Sequence, residues 1–220
     1  MKPVITFDCY GTLIDWETGI RDAFHRAMSQ TGASPSLESK AFELYEEEER
    51  RVERERPHLL YREVLARTSL NVARKIGWKL SESNFLAKEL PTWTPFHDTN
   101  PSLEKLSRTY ALGILSNVDN DLLAGTLKHF TSPFDFKVTA ENVRSYKPAP
   151  AHFEEARRIT RDRPWIHVAA SQYHDIEPAV RLGIRAFWVN RKNARPTGQY
   201  SEREVSEVKD LAQLAHLLCS

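Results

Sequence analysis

Cysteine and glycine are scarce in this chain, at two and eight of 220 residues. Cys9 and Cys219 look unpaired, which excludes a disulfide-stapled scaffold and predicts a reducing, cytoplasmic setting. No run of about 18 apolar residues occurs, so no membrane span is predicted. Neither sign of charge dominates: 31 basic residues face 30 acidic ones, for a net charge of +1. That balance gives no whole-molecule field for nucleic acid or an anionic membrane. No internal repeat or low-complexity tract is visible. The N-terminus runs straight into a β-prone segment, so no signal peptide is expected. What remains is 40% hydrophobic and 28% charged, enough for one sizeable core, or one core plus a small accessory domain.

Short apolar runs bounded by turn residues recur. VITF (4–7), YALGILSN (110–117), FDFKVTA (134–140), WIHVAAS (165–171) and RAFWVN (185–190) read as five strands. Between them PSLEKLSRT (101–109), DNDLLAGTLKHF (119–130), PAHFEEARRIT (150–160) and DIEPAVRLG (175–183) read as helices, the last stopping at Gly183. VKDLAQLAHLL (208–218) reads as a short strand or turn followed by a helix. Strands alternating with helices predict right-handed βαβ units: an α/β fold with a doubly wound, Rossmann-like parallel sheet. Residues 16–90 break the alternation, since every periodic segment there is helical. The predicted domains are therefore an α/β core from 1–15 and 91–220, and an inserted helical cap at 16–90. The charge run YEEEERRVERERP reads as a solvated helix face laced with i,i+4 pairs.

Open parallel sheets bind ligands beyond the carboxyl ends of their strands. Polar residues stand at four such ends: Asp8 after the first strand, Ser116 and Asn117 after the second, Lys147 after the third, and Gln172 and Asp175 after the fourth. Singly, each could cap a helix or end a strand. Together on one edge they mark a site.

FDCYGTL, LSNVDN, YKPAP and SQYHDI resemble, in order and spacing, the four motifs of the haloacid dehalogenase superfamily. The tyrosine two residues after Asp8, and the WTPFHDTNPSLEKL segment before the second motif, are similar to the (S)-2-haloacid dehalogenase branch. The resemblance implies that Asp8 is a nucleophile forming an ester with substrate. Phosphatase branches carry an aspartate two residues later, which protonates a basic alkoxide leaving group and then activates water. Here that place is Tyr10. Halide leaves without a proton, so the pattern suits dehalogenation of short 2-haloalkanoates to 2-hydroxy acids. The alternative is a magnesium-dependent hydrolase of another small phosphate or phosphonate compound. Phosphatases hold Mg²⁺ with the nucleophile, a backbone carbonyl and an acid, and the acid's place is Ala170 here; no metal or other cofactor is predicted as required.

The resemblance implies further roles. Lys147 pairs with Asp8, lowering its pKa and orienting it. Thr12 and Ser116 hydrogen-bond the Asp8 or substrate carboxylate. Asn117 lines the halide end. Asp175 orients or deprotonates the water that attacks the ester. Tyr10, with Trp16 a candidate beside it, shapes an apolar wall. Characterised dehalogenases of the branch have Ser at Ala170, Asn at Gln172 and Tyr at Phe153; Gln172 could reach further and replace the lost amide. Their cap arginine aligns with Ser39 or Lys40, with Arg50, Arg51, Arg54 and Arg62 as other cations. The expected partner is a small molecule, and a homodimer through cap or sheet edge is an expectation by resemblance alone.

Overall fold

The computed structural model describes residues 1–219. In chain order the elements are β1 (Val4–Phe7), α1 (Trp16–Gln30), α2 (Ser36–Glu53), α3 (Tyr61–Ile76), α4 (Phe85–Glu89), α5 (Thr99–Ser107), β2 (Ala111–Ser116), α6 (Asn120–Thr126), β3 (Phe136–Thr139), α7 (Ala140–Val143), α8 (Ala151–Thr160), β4 (Trp165–Ala169), α9 (Glu177–Arg181), β5 (Arg185–Val189), β6 (Val205–Val208) and α10 (Leu211–Leu218). A π-helical turn at Gln172–Ile176 leads into α9. No helix among the described residues is long and apolar enough to cross a membrane.

Two compact units form. The first comprises Met1–Asp15, Pro95–Asn117 and the chain from Lys128 on. Its six strands are all parallel, in the order β3-β2-β1-β4-β5-β6. β1 and β2 are buried along their whole length, which is why both read as unbroken apolar runs rather than alternating ones. The order reverses direction between β1 and β4, the crevice where such sheets take ligands. β2 and β3 approach closely because Gly113, opposite Phe136 in register, has no side chain: a Cβ there would lie 2.5 Å from the Phe136 ring. The expected five strands are joined by β6, whose partly exposed VSEV sequence carries no apolar run.

The second unit comprises Trp16–Thr94 and Val118–Leu127. All its described elements are helical. Phe24 of α1 sits in an aromatic cluster with Tyr45, Trp78 and Phe85, at centroid distances of 6.3, 6.2 and 5.3 Å. α3 starts under the Asp119 carboxylate, which accepts the main-chain N–H groups of Tyr61 (2.6 Å) and Arg62 (3.0 Å) and the Arg62 Nε–H (2.9 Å). It stops at Gly77, φ 72°. Where the sequence reading ends the helical segment at residue 90 and assigns 119–130 to the sheet's helices, Val118–Leu127 groups with the helical unit, and Asp119 supplies a physical reason. The charge run is only half as expected. Glu46–Arg50 and Arg51–Glu55 are i,i+4 pairs, but Glu48 is buried between Arg51 and Lys75. Glu49, half-buried, accepts the hydroxyls of Tyr45 (2.6 Å) and Tyr61 (2.5 Å).

Candidate active site

β1 delivers Asp8 to the switch point, with its N–H held by the Val168 carbonyl of β4 at 3.0 Å. The chain then turns sharply. Gly11 has φ 96°, a conformation that favours glycine, and donates to the Ile14 carbonyl at 2.8 Å. This turn aims Thr12 back at Asp8. The Thr12 hydroxyl accepts the Ala170 N–H (2.9 Å) and donates to Asp8 Oδ2 (3.0 Å). Arg191 fixes the turn from outside: one nitrogen donates to the Thr12 carbonyl (3.1 Å), another pairs with Asp98 (3.1 Å), and its guanidinium lies 4.0 Å from the Phe96 ring centroid. Arg191 carried no motif, and Asp98, though inside the WTPFHDTNPSLEKL segment, was assigned no role, so sequence reasoning missed both.

Lys147 Nζ donates to Asp8 Oδ1 (2.9 Å), Asp175 Oδ1 (2.6 Å) and the Leu115 carbonyl (2.8 Å). Three N–H bonds thus meet three acceptors in a fully buried place. Asp8 accepts from Lys147 on one oxygen and from Thr12 on the other, a pattern that suits a carboxylate. Burial raises the Asp8 carboxyl above its ordinary value, and the Lys147 ammonium only partly offsets it while the Asp175 charge adds to the rise. Lys147 thus acts in the expected direction, lowering the Asp8 pKa, but burial outweighs it. Asp175 behaves oppositely. Burial would raise it, but the Lys147 charge and the His167 hydrogen bond outweigh that and hold it well below the usual carboxylate range. For Lys147, burial works against the charge and the two carboxylates prevail, raising it. Cys9, next to Asp8 in the chain, is buried, and burial together with the Asp8 charge pushes its thiol well above the ordinary value.

Other expected residues are placed differently. Ser116 Oγ is buried and makes no hydrogen bond to Asp8; it has no partner among the described residues. Asn117 was expected at the halide end, but its amide brackets the Lys147 main chain, accepting from the N–H at 2.7 Å and donating to the carbonyl at 3.1 Å. It therefore holds the loop that carries the ammonium. Gln172 does not replace the missing amide: its oxygen accepts from Thr197 N (2.6 Å) and Oγ1 (3.1 Å), and its nitrogen donates to the Arg195 carbonyl (3.1 Å). The 195–197 loop was invisible as a partner in the sequence. Tyr10 is half-buried and bridges Ile14 through its main chain. Lys40 is exposed on α2 in the helical unit, where Arg50, Arg51 and Arg62 are spent on acidic neighbours. His174 accompanies a helix start: its N–H donates to Ser171 Oγ at 3.1 Å.

A magnesium site of the phosphatase kind does not fit these residues. The position of the required acid is Ala170, whose N–H goes to Thr12 and whose carbonyl accepts the Trp188 indole N–H at 3.1 Å. The cation between Asp8 and Asp175 is the Lys147 ammonium. Among the described residues, no cluster of three His, Cys, Asp or Glu side chains could hold a metal.

The arrangement can therefore present one carboxylate as a nucleophile, and a second, less basic one as a fixed acceptor nearby. Over 122 residues, 52% of this chain and 48% of the relative, it is 33% identical to the haloacid dehalogenase-like hydrolase domain-containing protein 3 of Danio rerio, so the match spans about half that relative's length. The solved structure of Rha0230, a defluorinating L-2-haloacid dehalogenase, has a TM-score of 0.85 at 21% identity, covering 100% of this chain and 96% of its own. YfnB of Bacillus subtilis, a haloacid dehalogenase-superfamily hydrolase bound to magnesium, has a TM-score of 0.82 at 15% identity, covering 99% and 98%. At those identities the likeness is one of fold. The family model for haloacid dehalogenase-like hydrolases matches residues 5–189, and the chain belongs to that family.

Proposed function

We propose that this hydrolase displaces halide from short 2-haloalkanoates through an ester on Asp8, without a metal. The observation that carries the reading is a carboxylate held by Lys147 and Thr12, with a tyrosine rather than an acid two residues on. An Asp8 oxygen attacks C2 of the substrate from behind the carbon–halogen bond. The new C–O bond forms as halide departs with the bonding electrons, and C2 inverts. Since halide is weakly basic, no proton donor is required. A phosphate monoester would instead expel an alkoxide, for which general acid catalysis is worth about 10²–10⁴-fold.

Water then adds to the Asp8 carboxyl carbon. The tetrahedral adduct collapses with loss of the substrate-derived alkoxide, which takes a proton and leaves as a 2-hydroxy acid. Asp8 is regenerated with one oxygen from water, and one proton is released overall. Asp175 serves the second step. Its depressed basicity suits an acceptor that orients the water and hands the proton on. Ala170 and Gln172 supply no side-chain polar group to that water, so Asp175 carries the task here.

The test is halide release from each enantiomer of 2-chloropropionate, with and without chelator. Chelator-resistant release from one enantiomer is expected, together with complete loss in Asp8→Asn. Brisk, magnesium-dependent release of phosphate from small phosphate esters, with carbon–halogen bonds untouched, would overturn the reading in favour of a phosphatase.

A further inference from the structure

His167 lies on β4 and is fully buried. Its Nε2 lies 3.0 Å from Asp175 Oδ1 and its Nδ1 lies 2.9 Å from Thr6 Oγ1. The Phe153 ring packs against it edge-to-face, with centroids 5.1 Å apart. Thr6 Oγ1 also receives the Trp165 indole N–H at 2.8 Å, and its only other partner among the described residues is the Ile166 carbonyl at 3.5 Å. An indole nitrogen can only donate. The threonine proton is therefore best placed on His167 Nδ1, at the far shorter of the two available distances. That makes Nδ1 an acceptor and puts the ring proton on Nε2, facing Asp175.

Asp175 Oδ1 consequently receives two donors, Lys147 and His167. Asp175 Oδ2 is buried and has no hydrogen-bond partner among the described residues. A buried, unpartnered carboxylate oxygen is costly unless something donates to it during function. We propose that His167 is a positioning residue for ester hydrolysis: the Trp165–Thr6 chain fixes its Nε2–H tautomer, His167 and Lys147 together hold Asp175 Oδ1, and Oδ2 is thereby aimed as the acceptor for the attacking water. The inference rests on the two-step reaction proposed above. In that step the water O–H donates to Asp175 Oδ2 as the water oxygen bonds to the Asp8 carboxyl carbon. The proton then passes to the departing alkoxide.

Two measurements test this. The first needs no substrate: long-range ¹H–¹⁵N correlation spectra of the labelled wild-type protein at neutral pH, with the His167 ring assigned by its loss in His167→Gln. A neutral ring protonated at Nε2 is expected; a ring protonated at Nδ1, or at both nitrogens, overturns the proposal. The second follows single turnovers of 2-chloropropionate by quenching and mass spectrometry of the Asp8 peptide. In His167→Phe, ester loss should slow by roughly 10–100-fold, the loss of one hydrogen bond to a charged group. The halide burst should keep its rate, so that the ester accumulates. His167→Gln, whose amide nitrogen can stand in for Nε2, should recover most of the loss. Should His167→Phe fail to fold, the nearly isosteric Thr6→Val must show the same accumulation to a lesser degree, with a mixed tautomer. Ester in the wild type without accumulation in these variants overturns the role of His167 alone. No ester in the wild type overturns the underlying reaction instead.

Discussion

At the scale of the residue, the core of the site is a contest between burial and pairing. Lys147 is shared by two carboxylates, so this cluster carries one more negative charge than positive when all three groups are ionised. Burial of such an excess is costly, and the two carboxyls respond in opposite directions. His152, a neighbour on α8, donates its Nε2–H to the Ser116 carbonyl at 3.2 Å. Burial first, and the Lys147 charge second, lower its pKa from 6.5 to about 3. Between those values the unfolded chain binds a proton that the folded protein refuses. Stability is therefore unaffected above that window and falls as pH drops through it, by at most about 1.4 kcal/mol per pH unit. Urea midpoints measured from pH 7 down to 4 should decline steeply in the wild type and less steeply in His152→Gln, which keeps a donor for the Ser116 carbonyl. Asp8, Lys147 and Asp175 were legible in the sequence because motif spacing and strand ends both point to them. His167 was not, because a histidine inside WIHVAAS reads as one more strand residue, and its two partners lie 161 residues before it and eight after it.

At the scale of the element, packing explains what was legible and what was not. β1, β2, β4 and β5 announce themselves as apolar runs because they are central strands. β6 lies at the sheet edge and alternates with polar residues, and α7 is a single turn whose capping is local: Thr139 Oγ1 accepts the Asn142 N–H at 3.2 Å. Neither leaves a strong periodic signal. The β2–β3 contact gives a direct test. Gly113→Ala forces a methyl group into the Phe136 ring and should destabilise by about 1–3 kcal/mol in urea unfolding. Phe136→Leu in the same chain should return part of that loss, which additive, independent effects would not do. The start of α3 gives another. Asp119→Ala removes the acceptor of two main-chain N–H groups and of Arg62, and should cost about 2 kcal/mol. Asp119→Asn, which retains an acceptor oxygen, should cost less in the same assay.

At the scale of the whole molecule, the chain crosses between its two units four times, after Asp15, Thr94, Asn117 and Leu127. The first and third crossings follow directly on the segments that carry Asp8–Thr12 and Ser116–Asn117. The first was legible from the switch to helical periodicity after residue 15; the third was hidden, since residues 119–130 look like any sheet-packing helix until the acceptor role of Asp119 is known. Across the full sequence there are two thiols, and one of them, Cys9, adjoins Asp8. Its burial and raised pKa disfavour the thiolate that alkylation requires. Iodoacetate, the common carboxymethylating reagent, is itself a 2-haloalkanoate. On the reaction proposed above, it should be turned over to glycolate and iodide while peptide mapping finds Cys9 unmodified. Under that proposal the carboxylate of Asp8, and not the sulfur next to it in sequence, is the group such a reagent alkylates, and water then undoes the modification.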